Sequence, residues 1–256
     1  FDSEGRDRAN MDLPYGQNAL ISALARANKN LVVVLISGNT VTMPWVDEVP
    51  AIVQAWYLGS EAGNALAAVL TGDVNPSGKL PVTFPAKLAD VGAHATNSYI
   101  TKGIEEYKEG IFVGYRWAEK NNIKPLFAFG HGLSYTTFEY GKPTLDKPAL
   151  ANNTSDTLTL TIPVKNTGAR RGAEVVQLYI SEQNPVVPRP VKELKGFVKL
   201  DIAPGEQKTA TFTITRDQLQ FYDDKQQWTA TPGKFEALIG SASDDIRAKA
   251  AFELKP

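Results

Sequence analysis

The chain has 256 residues and a formal charge of −1, with no Cys and two His. A near-neutral balance argues against a nucleic-acid binder. No apolar run reaches the ~20 residues that a membrane span needs, and without Cys there is neither a disulfide nor a thiolate metal site. With only His94 and His131, a His-rich metal centre is not expected either. At roughly 150 residues per domain, the length predicts two domains.

The first stretch, residues 1–14, sets Asp2, Glu4, Asp7 and Asp12 against Arg6 and Arg8 around Gly5 and ends at Pro14. It carries no periodic pattern and reads as a polar loop, the kind of segment that holds binding and catalytic groups on a rigid scaffold. Glu4 is the candidate, because a carboxyl beside a Gly can swing toward a substrate and exchange a proton. On spacing alone a solvated loop with surface ion pairs outweighs that reading.

Residues 16–28 place Leu20, Ile21, Leu24 and Ala25 at the three-and-four spacing of an amphipathic helix, stopped by Asn28-Lys29-Asn30. The β-branched run Leu31 to Ile36 predicts a strand buried on both faces, as in a parallel sheet. A short helical connection, Met43 to Glu48, leads to a second strand, Ala51 to Tyr57. Glu61 to Leu70 then reads as a helix with Ser60 as its N-cap. This order of elements is that of an α/β layer. Thr71 to Pro85 fails as a phosphate-binding loop: five residues separate Gly72 from Gly78, and Leu80 follows Lys79. It reads as a turn leading into a short strand, Leu80 to Phe84.

Ala86 to Asn97 reads as loop. Ile111 to Trp117 fits a strand or the start of a helix. Glu109 and Arg116 are second-tier site candidates, outweighed by a surface acid and a structural ion pair. Leu126 to Phe138 is aromatic-rich, with Gly130 and Gly132 around His131. It suits a linker pinned by its rings, and a linker histidine outweighs a general base at His131.

From Lys142 the period changes to two. Thr157 to Ile162, Thr209 to Thr215 and, in part, Val175 to Ile180 alternate; Lys234 to Ile239 and Ala248 to Leu254 complete the series. Turn formers punctuate them, as in an immunoglobulin-like sandwich of about seven strands. Asn152 and Asn153 each open an Asn-X-Ser/Thr sequence, which matters only on a glycosylating secretory route. The organisation expected is an α/β domain over residues 1–126, a linker over 127–141 and a β-sandwich over 142–256.

Four blocks are familiar: Ser3 to Arg8 through Leu13-Pro14, Gly63 to Ala65, Gly72 to Pro81, and Phe127 to Thr136. Together they resemble glycoside hydrolase family 3. The resemblance implies the later part of such an enzyme: an α/β sandwich domain lacking its leading strands, then a fibronectin type III-like domain, after an absent (β/α)8 barrel. It puts the general acid/base on Glu4, with Gly5, Asp7 and Arg8 in support, and the nucleophilic Asp in the barrel. Arg6 and Arg8 would oppose the raised pKa that an acid needs. The function implied is that of a retaining, exo-acting β-glucosidase, linked to cellulose degradation, with no metal or organic cofactor. Its substrates would be β-linked gluco-oligosaccharides or aryl and alkyl β-glucosides, and its location periplasmic or secreted. The chain alone would be inactive without the barrel. The alternatives are a β-xylosidase of the same family, an N-acetylglucosaminidase of that family, which ranks lower, and a non-catalytic carbohydrate- or protein-binding module.

Overall fold

The computed structural model describes residue 5, residues 8–99 and residues 103–256. Its contacts divide the chain into two compact units. One comprises Phe1–Val74, Phe84–Lys108 and Lys124–Phe127; the other comprises Asn75–Thr83, Glu109–Ile123 and Ala128–Pro256. Two stretches that lie N-terminal to the predicted sandwich, Asn75–Thr83 and Glu109–Ile123, therefore pack with it.

The first unit is α/β. Helix α1 (Gln17–Ala27) leads to strand β1 (Val32–Leu35), a 3-10 turn at Val46–Glu48 and strand β2 (Ala51–Gln54). Helices α2 (Ala62–Thr71) and α3 (Gly92–Ala95) follow. Strand β2 pairs with β1 in parallel, from Val32 opposite Ala51 to Leu35 opposite Gln54. Asn28 ends α1 in an extended conformation, and its side-chain oxygen accepts from Asn30 N at 2.9 Å. The core gathers Met11, Ala25, Val33, Leu35, Val41, Met43, Trp45 and Phe84.

Several expectations are corrected here. Strand β1 is not buried on both faces: Val33 and Leu35 point inward while Val32 and Ile36 are exposed. Among the described residues the sheet of this unit has two strands, too narrow to cover both sides. Leu20 and Leu24 on α1 are exposed as well. Ser60 is not the N-cap of α2; Glu61 holds that position, without a side-chain bond. Residues 86–97 contain a 3-10 turn at Leu88–Asp90 and α3 rather than loop alone. Leu80 to Phe84 is not a strand. Only Phe84 makes a bridge, to Phe127, and Pro81, which has no N–H, interrupts the pairing.

The second unit is a β-sandwich with added pieces. Its first element is helix α4 (Tyr115–Lys120), so Ile111 to Trp117 resolves as a loop entering a helix. The strands are β3 (Phe138–Tyr140), β4 (Thr144–Leu145), β5 (Ala149–Leu150), β6 (Thr157–Asn166), β7 (Gly172–Gln183), β8 (Glu193–Ile202) and β9 (Gln207–Thr215). A short helix α5 (Arg216–Leu219) precedes a small ribbon of β10 (Phe221–Tyr222) and β11 (Trp228–Thr229); β12 (Gly233–Ala242) and β13 (Asp245–Leu254) close the chain. One sheet runs β5-β13-β12-β7-β8; the other runs β3-β6-β4, with β9 on β6. Inward positions of β6 (Leu158, Leu160, Ile162, Val164) meet those of β7, β9, β12 and β13 in one apolar core. Such face-to-face packing of alternating strands defines the immunoglobulin-like sandwich.

The two longest familiar blocks turn out to grip each other inside this unit. Leu80 N donates to the His131 carbonyl and Gly130 N to the Leu80 carbonyl, both at 2.8 Å. Lys79 Nζ reaches the Gly132 carbonyl at 2.8 Å. Asn75 accepts from Ser134 Oγ at 2.9 Å and from Tyr135 N at 2.8 Å, and donates to the Arg171 carbonyl at 2.9 Å. The approach is so close that a Cβ on Gly132 would lie 2.1 Å from the Gly78 carbonyl oxygen. The clamp rests on β7: Gln177 Nε2 donates to the carbonyls of Gly130 and Ser241, and Tyr179 Oη donates to Gln177 Oε1 at 2.6 Å. Burial lowers the pKa of the Lys79 amine, and Glu174, 3.6 Å away, opposes that shift.

Gly132→Ala should therefore destabilise the protein by about 3 kcal/mol, the upper end of overpacking costs. Urea unfolding followed by near-ultraviolet dichroism checks this, and an unchanged midpoint would show that the backbone can move apart. A second expectation concerns acid. The hydrogen bond from Arg247, helped by Ser241, holds the Asp245 carboxyl below its usual range. A carboxyl with a lowered folded pKa contributes stability that is present above its unfolded value and lost as pH falls through the folded one. Asp245→Asn should thus lower stability at pH 7 and flatten the loss of stability below about pH 4, read from unfolding curves across that range.

Candidate functional site

Glu4 and Asp7 lie outside the described residues, whereas Gly5 and Arg8 lie within them. Gly5 has φ +74°, in the left-handed region that a residue with a Cβ adopts only with strain, and a Cβ there would meet nothing within 4 Å. The backbone conformation, not crowding, is what calls for Gly at this position.

Residues 8–12 are strapped down within the first unit. The Arg8 guanidinium donates to the Thr40 carbonyl at 2.8 Å. Thr42 N donates to the Met11 carbonyl at 2.9 Å, and Thr42 Oγ1 bonds the Asp12 carboxylate. Met11 is buried, as are Val41 and Met43 on the facing segment. Beyond it, Trp45 is fully buried and donates its indole N–H to Asn18 Oδ1 at 2.8 Å, which ties α1 to the same place. The facing segment leaves the C-terminal end of β1. In parallel α/β sheets, ligands gather outside that end of the strands.

The second-tier residues sit in the other unit. Arg116 pairs with Glu193 at 3.2 Å and lies against the Tyr115 ring. Glu109 is half-buried; its carbonyl accepts from Phe112 N at 3.1 Å, and one carboxylate oxygen has no hydrogen-bond partner among the described residues. Around α4 the bonds are structural. Tyr115 stacks on Phe129 at 4.9 Å and its hydroxyl accepts from Leu194 N at 2.9 Å, while Glu119 pairs with Lys192. Burial raises the Glu119 pKa, against the pull of that lysine. His131 is half-buried, and its burial lowers its pKa. Its backbone belongs to the clamp described above.

Sequence reasoning missed the strap from Arg8 to Thr40 and from Asp12 to Thr42. Two of its acceptors are backbone carbonyls, which leave no mark in a sequence. The one available signal was the alternation of Val41, Met43 and Trp45, too short to be read as an element. Among the described residues, no helix is long and apolar enough to cross a membrane.

Two family models match. The glycosyl hydrolase family 3 C-terminal domain covers residues 1–135, and the fibronectin type III-like domain covers residues 174–243. The chain belongs to glycoside hydrolase family 3. It is 53% identical to a beta-glucosidase of Bacteroides ovatus, over 98% of this chain and 34% of that protein. It is 46% identical to the thermostable beta-glucosidase B of Acetivibrio thermocellus, over 97% of this chain and 33% of that protein. The crystal structure of a beta-glucosidase from Kluyveromyces marxianus in complex with glucose superposes with a TM-score of 0.92 at 43% identity, over 99% of this chain and 30% of that one. The chain thus spans about a third of the length of the relatives it matches.

If the guanidinium of Arg8 is what pins the loop, Arg8→Ala should speed amide exchange across residues 8–12 by roughly tenfold, the loss of about one hydrogen bond. Exchange in the β-sandwich should stay as it was. Unchanged exchange at Met11 and Asp12 would show that Thr42 holds the segment unaided.

Proposed function

We propose that this chain is the C-terminal part of a retaining, exo-acting β-glucosidase that removes terminal β-D-glucosyl residues from gluco-oligosaccharides and from aryl or alkyl β-glucosides. The observation that carries this reading is the end-to-end likeness to beta-glucosidases, 53% identical over 98% of the chain. Its partner is an N-terminal (β/α)8 barrel of the same polypeptide, which supplies the Asp nucleophile.

Glu4 is the general acid/base, on a loop that Gly5 turns and that the Arg8 and Asp12 contacts fasten to the first unit. Asp7 and Arg8 support it. In the first step the barrel carboxylate attacks the anomeric carbon while Glu4 gives its proton to the departing glycosidic oxygen. The bond to the leaving alcohol breaks and a glycosyl-enzyme forms. In the second step Glu4, now a carboxylate, takes a proton from water as the water displaces the nucleophile. Retention follows from two displacements, for which the carboxyls stand ~5–5.5 Å apart. Glu4 needs a raised pKa to hold its proton near neutrality.

In the full-length enzyme, Glu4→Ala should slow hydrolysis by several orders of magnitude for alkyl glucosides, whose leaving groups require protonation, and far less for activated aryl glucosides. The basic limb of the pH profile should vanish with it. An equal loss across leaving groups would remove Glu4 from the role of acid.

A further inference from the structure

The ribbon of β10 and β11 turns two large aromatic side chains to solvent. Tyr222 is 58% exposed and Trp228 67% exposed. The two are directly opposed across the antiparallel ribbon, so they stand on one face of it, with ring centroids 5.5 Å apart and planes at 65°. Burying an aromatic ring is a main source of folding stability; among the described residues nothing covers either of these two.

The mount under these rings is rigid. The Asp223 carboxylate accepts from Lys225 N at 2.9 Å and from Gln227 N at 3.0 Å, and Asp223 N donates to the Gln227 carbonyl at 3.0 Å. Below, the Arg189 guanidinium lies 5.4 Å from the Phe221 ring and donates to the Leu219 carbonyl at 3.2 Å. The same guanidinium pairs with Glu182 at 2.8 Å and with Glu193 at 3.2 Å. Leu219 is buried, and Thr215 and Gln218 form a capping box at the start of α5. The rings are thus held in place before anything binds, which limits the ordering that binding requires.

The size and chemistry of the patch select the occupant. Two aromatic side chains present roughly 150–250 Å² each, well short of the ~800 Å² per partner of a stable protein interface. A pyranose is the right scale. Its β-gluco form carries all its ring hydroxyls equatorially, which leaves C–H groups on both faces to lie against an aromatic ring. Around the rings, Asp224, Gln226 and Gln227 are exposed, and the two carboxamides can both donate and accept. That is the complement of a ring edged with hydroxyls.

We propose that the Tyr222–Trp228 ribbon is a carbohydrate-binding platform for β-glucan chains, with Trp228 as the stacking surface and Tyr222 as its flank. The class of sugar rests on the glycosidase reading above. A single stacking site binds weakly, so its effect is one of tethering: a glucan held at two points re-engages at a raised effective concentration.

The test uses the full-length protein in native gels cast with a soluble mixed-linkage β-glucan. Hydrolysis of an aryl β-glucoside is measured on the same samples. The parent should be retarded by the polymer. Trp228→Ala should weaken binding about tenfold, Trp228→Phe should keep part of it, and Tyr222→Ala should lie between. All variants should retain the parent's melting temperature and its kcat/KM on the aryl glucoside. A parent that runs unretarded, or a Trp228→Ala variant retarded as strongly as the parent, would overturn the platform. So would a sedimentation coefficient that falls in Trp228→Ala, which would assign the patch to self-association. Absence of aryl-glucoside hydrolysis by the parent would instead sink the glycosidase reading, and the retardation is read independently of it.

Discussion

The main-chain grip between Gly78–Leu80 and Gly130–Gly132 is the constraint on which the sandwich unit is built. It leaves no space for a Cβ at Gly132, and it covers polar groups that β7 would otherwise have to expose. Gln177 and Tyr179 are buried on the side of β7 facing away from the apolar core, beneath this clamp. With Asn75 bonded to Ser134, Tyr135 and Arg171, pieces distant in sequence close over one sheet. The hydrogen bonds are worth most because the groups are shielded; a buried donor or acceptor without a partner costs about 1–3 kcal/mol.

This changes the meaning of the most recognisable residues. The blocks around Lys79 and His131 carry the family likeness, yet their described contacts are structural. Lys79 donates to the Gly132 carbonyl and pairs with the buried Glu174 carboxylate, and His131 contributes its main chain. The chemistry proposed for the chain lies elsewhere, on the loop fastened by Arg8 and Asp12. A motif that names a family therefore need not touch a substrate.

The fold was legible where one face of an element meets water and the other meets core. Thr157 to Ile162 alternates because its threonines face out while Leu158, Leu160 and Ile162 are fully buried. Strand β7 alternates only in part, since the clamp buries its outer face as well. Strand β8 escaped notice: it is an edge strand, with exposed positions alternating along its second half and Lys and Glu along its length, which is how sheets protect a free edge. Leu80 to Phe84 misled through its β-formers, since Leu80 and Phe84 each pair but the intervening residues do not. The candidate site rests on likeness alone. Nothing in the spacing of Glu4, Asp7 and Arg8 separates a catalytic loop from a solvated one.

The order in which the chain visits its two units has an evolutionary corollary. Asn75–Thr83 and Glu109–Ile123 belong to the sandwich unit but are separated by Phe84–Lys108, which does not. A crossover anywhere between Thr83 and Lys142 splits the sandwich unit, because the clamp or the α4 contacts then come from the other parent. A recombinant that swapped only the region after Lys142 would set Gln177 and Tyr179 of β7 beneath a clamp taken from the other parent. Lineages of this architecture should consequently exchange the sandwich together with everything from Asn75 onward.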